Sequence, residues 1–255
     1  KAQTTLKSIS GFQKLRMGGI MKKLLITSLV LLTANAWALD LSTPTKVDST
    51  FHTGYIPDGY DTNDHVQVVG EGIFSNSCYR PATYSVKVDQ EDKTIQVKPK
   101  AYLYDGMCLQ VLVPYSQTIN VGLLKVGSYD VVQGDEHGNL GEMRVRAATN
   151  SDPDDFMYAP VDQAYLDSSD GDHTLALSGS FSNSCVSMVD VRIDVQPKVI
   201  VVQPITELEE RDDCRSGSYP FEERVSLDRS VESGRYLLHI RSLNGKAVNN
   251  LVDIK

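Results

Sequence analysis

The four cysteines fall in two pairs at matching spacing, Cys78 with Cys108 and Cys185 with Cys214. Cysteines so placed serve either a metal or a disulfide framework. Zinc is poorly served, because there is no C-x-x-C and no histidine at ligand spacing. An even count in an exported chain reads as disulfides, and the internal repeat described below selects Cys78–Cys108 and Cys185–Cys214.

Carboxylates offer a second chemistry. Asp58, Asp61 and Asp64 cluster before one apolar segment, and Asp167, Asp170 and Asp172 before another. Clustered oxygens suit a hard cation such as calcium, which takes six to eight of them. Neither cluster has the regular D-x-D-x-D-G spacing, and the plain alternative is a pair of solvated turns. Asp64-His65 and Asp172-His173 repeat an acid–imidazole pair, whose plain reading is a polar strand entry. Serine beside cysteine in Phe-Ser-Asn-Ser-Cys has no local base to activate it, so that motif reads as turn chemistry behind a core phenylalanine. Tyr79, Arg80, Tyr102 and Tyr104 flank the first cysteine pair with the residue types of a binding surface. The sequence carries no G-x-S-x-G, H-E-x-x-H, Walker loop or dinucleotide fingerprint.

The elements that must position these residues repeat. Gly72-Ile-Phe-Ser-Asn-Ser-Cys78 returns as Gly179-Ser-Phe-Ser-Asn-Ser-Cys185, and Pro114-Tyr115 and Gly127-Ser-Tyr129 return as Pro220-Phe221 and Gly234-Arg-Tyr236. An ordered series of matches marks a duplicated unit. Alternating apolar and polar residues predict strands over Val66–Phe74, Tyr84–Val88, Thr94–Lys98, Leu109–Val113, Thr118–Val121, Tyr129–Val132 and Met143–Ala147. The same alternation covers Thr174–Phe181, Val189–Val195, Lys198–Val202, Arg224–Leu227, Arg235–Ile240 and Val248–Ile254. Ile205–Asp213 is the best helical candidate, and it is short. Asn244-Gly245 signals a type I′ hairpin. The fold class expected is all-β: two tandem immunoglobulin-like antiparallel β-sandwich modules, 39–150 and 158–255, joined by an acidic linker at 151–157. No core tryptophan accompanies them, since Trp37 is the only one.

Met21-Lys-Lys23, the apolar run Leu24–Leu32 and Ala36-Trp-Ala38 form the three parts of a secretory signal over 21–38. The apolar run is shorter than the about 20 residues that span a bilayer. Processing would leave Leu39 first, with no membrane span. Residues 1–20 read as untranslated leader or extension, since Lys1 is not an initiator and Met17 and Met21 are the early starts. Six of the 25 Lys and Arg and none of the 33 acids precede residue 39. The remainder is strongly acidic, which argues against nucleic acid and against an anionic membrane surface.

The reading is an exported protein, periplasmic or secreted, with two disulfide-bonded sandwiches acting as a non-enzymatic binding or structural protein for a protein or glycan ligand. Its alternatives are a hydrolase with a site between the modules, and a protease inhibitor presenting the braced loop Tyr102–Cys108. No cofactor is expected beyond the calcium alternative.

Overall fold

The computed structural model describes residues 43–134, 138–169, 172–228 and 231–255. The expected leader, the signal segment, Asp170 and the side chain of Asp172 lie outside them. Described residues form strands and no helix, and none of them forms a helix long and apolar enough to cross a membrane.

Alternation explains the strands. In β6 (Thr94–Leu103) Ile95, Val97 and Ala101 are buried, whereas Gln96, Lys98, Lys100 and Tyr102 face outward. Around it lie β1 (Thr45–Asp48), β5 (Tyr79–Asp89), β8 (Gly127–Gln133), β9 (Gly138–Arg146) and β3 (Tyr60–Asp61), forming one sheet of the N-terminal half. The opposing sheet orders β2 (Thr53–Tyr55), β4 (Val66–Phe74) and β7 (Val113–Gly122). One hydrophobic core, including Phe74, Ile95, Ile119, Tyr129 and Met143, fills the space between them.

The C-terminal half pairs its strands in the same order. β12 (Val186–Val195), β13 (Val199–Leu208), β15 (Gly234–Ser242) and β16 (Lys246–Ile254) form one sheet. β10 (Val161–Ser169), β11 (Asp172–Asn183) and β14 (Ser216–Ser226) form the other, over a second core containing Phe181, Leu175, Ile200 and Leu238. Two β-sandwich layers thus stand in each half.

The two larger sheets are mixed, whereas the two three-stranded sheets are antiparallel throughout. β6 runs parallel to β8, β13 to β15, and β3 to β9. Two further expectations change. Leu109–Leu112 is exposed loop, with only Val113 entering β7, and Ile205–Leu208 continues β13 instead of starting a helix. Asn244 and Gly245 both have positive φ, 63° and 64°, as a type I′ turn requires.

The repeated heptapeptide has a packing explanation. A Cβ on Gly72 would lie 2.5 Å from the Tyr115 ring, and one on Gly179 would lie 2.1 Å from the Pro160 carbonyl oxygen and 2.9 Å from the Phe221 ring. Glycine therefore lets the neighbouring aromatic lie flat over the strand, where Phe74 stacks on Tyr115 at 4.0 Å and Phe181 on Phe221 at 4.5 Å.

A smaller apolar seam joins the halves. Tyr55 and Val69 of the three-stranded sheet pack against Val199, Val201 and Leu237. The pairing Val199↔Leu237 occupies the register that Thr94↔Asp130 occupies in the N-terminal half. Apolar residues thus replace polar ones on the outer face that meets the neighbour.

Candidate functional site

Both disulfides form, Cys78–Cys108 and Cys185–Cys214, and no free cysteine remains among the described residues. The pentapeptide builds the same frame around each. Asn76 accepts a hydrogen bond from the Cys78 amide at 3.0 Å, as Asn183 does from Cys185 at 2.9 Å. The Ser77 hydroxyl accepts from the Leu109 amide at 2.9 Å, and Ser184 accepts from Arg215 at 3.0 Å. Main-chain bonds Ser77–Leu109 and Tyr104–Cys78 match Ser184–Arg215 and Glu209–Cys185. Serine and asparagine act here as turn residues that satisfy backbone amides.

On these equal frames sit unlike loops. In the C-terminal half Glu209, Glu210, Asp212 and Asp213 surround Arg211, which pairs with Glu209 at 3.2 Å and with Asp213 at 3.1 Å. In the N-terminal half the loop carries Met107, Leu109, Val111 and Leu112, with exposures of 103%, 69%, 49% and 73%. Four large apolar residues thus stand in water on a stretch that a disulfide and main-chain bonds hold in place.

Three of the four expected surface residues adjoin this loop. Arg80 and Tyr102 are cross-strand partners on the outer face, and Tyr104 lies just beyond β6, 44% exposed. Tyr79 does not join them. It stands one residue from Arg80, so the pleat turns it to the core, where it stacks on Phe74 at 5.5 Å.

The three aspartates of the first cluster each find their own partners. Asp58 accepts from the Gly59 amide at 2.7 Å, and Asp61 from the Asn63 amide at 2.8 Å. Asp64 turns inward, accepting from the Asp61 amide at 2.8 Å and from Arg241 at 2.7 Å. Asp167 is exposed on β10. Among the described residues no group of three or more His, Cys, Asp or Glu is placed to hold a metal ion. His173 bonds the Ser168 hydroxyl at 2.9 Å and His65 lies against Gly245, so the two histidines have separate surroundings.

Asp64 leads instead to a buried polar node between the halves. Arg241 also donates to the Gly59 carbonyl at 2.9 Å and lies over the Tyr60 ring at 4.7 Å. Gly59 takes φ +93°, which aims that carbonyl at low cost. His239 contacts the Tyr60 hydroxyl at 3.2 Å through Nε2 and Asn249 Oδ1 at 2.7 Å through Nδ1, and Asn249 donates to Gln67 at 2.8 Å. A neutral imidazole with its proton on Nδ1 satisfies this chain. The cavity among these groups measures about 10 Å³, room for one water molecule. The sequence hid the node because its partners are distant; Asp64 and Arg241 are 177 residues apart.

Burial lowers the His239 pKa from 6.5 to about 4, the Arg241 charge adding to it and the Asn249 bond opposing it. An unfolded histidine binds its proton near pH 6.5, the folded one only near 4, so stability is full above that window and falls with pH through it. The loss should reach on the order of 3 kcal/mol by pH 4. Asp64, raised by burial against the pull of Arg241, runs the other way and softens the loss. Melting curves from pH 7.5 to 4.5 should show this decline, and His239→Gln should flatten it. An unchanged slope in that variant would assign the pH dependence elsewhere.

Fold and site together define the class: an all-β sandwich protein with a disulfide-braced loop in each half. Residues 68–141, from β4 to the start of β9, match the family model of the ORF11 beta-sandwich domain. No curated protein and no solved structure matches the chain.

Proposed function

We propose that this is an exported, non-enzymatic binding protein of an oxidising compartment, periplasmic or secreted, whose contact end is the loop Tyr104–Leu112. One observation carries this reading: identical frames hold an apolar exposed loop in one half and a charged, internally paired loop in the other. Framework alone demands neither chemistry. The disulfides support an oxidising address, and the signal-like segment at 21–38 supports export. The common strand order supports reading the halves as a duplicated unit.

The hydrolase reading is less favoured. The buried groups His239, Asp64 and Tyr60 surround a water-sized space with no room for substrate. The larger cleft between the halves, about 510 Å³, is lined by Asp58, Glu142, Arg144 and Lys198, with no histidine, cysteine or serine among its described residues to make a nucleophile–base pair. The inhibitor reading retains one supporting observation, the pinned backbone of Tyr102–Cys108. It becomes a special case of binding through this loop.

Two measurements test the proposal. The mature N-terminus should be Leu39, and recovery of peptides from Lys1–Arg16 in native product would refute the leader assignment. A photo-crosslinking amino acid at Met107, in cells making the protein, should yield adducts that the same group at Arg211 does not. Equal labelling at the two loops would end the proposal.

A further inference from the structure

Resting on that reading, the geometry points to a particular partner for the loop: we infer that it docks on an anionic lipid surface. Three kinds of residue gather at this end of the sheet. Met107, Leu109 and Leu112 come first, all strongly exposed. Tyr104 and Tyr102 come next. Behind them, on the outer face of β6, stand Lys100 and Lys98, retreating by about 6.6 Å per pair of residues. Lys46 and Arg80 flank Tyr102 directly, as its partners on β1 and β5. Apolar tip, aromatic girdle and cations reproduce the order of hydrocarbon, interface and headgroup in a bilayer.

Two of these charges, those that flank Tyr102, are available. Lys46 donates to the Thr83 hydroxyl, and Arg80 to the Ser77 and Tyr79 carbonyls, neutral oxygens that leave both positive charges in place. Lys100 pairs with Asp48, and Asp105 is the one acid within the loop. The acidic balance of the chain argued against such a surface, but it is an average. Charges beyond about 10 Å are screened at ordinary ionic strength, so the face at the tip decides. The corresponding loop of the C-terminal half is acidic and would be repelled.

A protein partner is the competing occupant, and the tip's form argues against it. Met107 is fully exposed, and Leu109, Val111 and Leu112, which follow it, are exposed as well, at about half or more of their surface. Insertion into a fluid phase needs no complementary pocket.

Vesicle flotation of the full folded protein tests this, with phosphatidylcholine alone and with one quarter phosphatidylglycerol. The protein should float with the anionic vesicles and less so as salt approaches about 1 M, where the screening length is about 3 Å. Lys46→Glu with Arg80→Glu should weaken partition at least thirtyfold, each lost surface cation counting for about fivefold. Met107→Asp with Leu109→Asp should weaken it more than tenfold on lost apolar burial. Each variant is compared only if its melting temperature and disulfides match the parent. Leu109→Trp should shift its emission to the blue on the anionic vesicles. No flotation on either vesicle, or flotation unchanged in the Met107/Leu109 variant, overturns the lipid assignment. Protein adducts at Met107 without flotation would overturn it too, while leaving the binding function standing.

Discussion

Arg241→Met should cost about 3–5 kcal/mol, because it leaves the Asp64 carboxylate buried without its counter-ion. Both side chains are nearly inaccessible, at 4% and 6% for the whole residues. In a folded unit of this size each kcal/mol moves the melting temperature by about 2–4 °C, so a fall of roughly 10 °C is expected. Asp64→Leu combined with Arg241→Met should recover most of it, since removing both charges also removes their desolvation cost. Thermal or urea melts of the two variants beside the parent decide this. A single variant that melts with the parent would show that Asp64 finds water or another cation when Arg241 is gone.

Removing the disulfides should have an effect of the same order. Each closes a loop of similar length, for which the chain-entropy model gives about 3–4 kcal/mol. Cys78→Ser with Cys108→Ser and Cys185→Ser with Cys214→Ser should therefore lower stability comparably. Together they should take away about 7 kcal/mol, a large part of the 5–15 kcal/mol typical of a folded protein. Urea titration with and without reductant gives the sum, and peptide mapping without reduction gives the pairing. A peptide joining Cys78 to Cys185 would contradict the fold.

The strands were legible wherever a sheet has one wet face and one dry face, which prints a period of two into the sequence. Leu109–Leu112 was misread as strand for the same reason in reverse: its apolar residues look like core but lie in water. Parallel pairing of β6 with β8 leaves no local trace, since neighbours so far apart share no turn. β15 concealed most. Its even residues Tyr236, Leu238 and Ile240 fill their own core, while Leu237, His239 and Arg241 face the other half. A histidine and an arginine on an outward face normally announce solvent. Here a second sandwich covers them, and only the unusual valines at 199 and 201, where the other half has Thr94 and Gln96, hinted at it.

The buried node has a mechanical consequence. An apolar seam such as Tyr55 and Val69 against Val199, Val201 and Leu237 is non-directional, and its faces would slide over one another at little cost. A slip of two residues along a strand, about 7 Å, would pull Arg241 off Asp64 and the Gly59 carbonyl together. Grease supplies the grip and a key sets the position. The Arg235–Glu71 ion pair, 2.7 Å across the same joint, is a second such key, so a displacement along a strand would break directional contacts at two places at once.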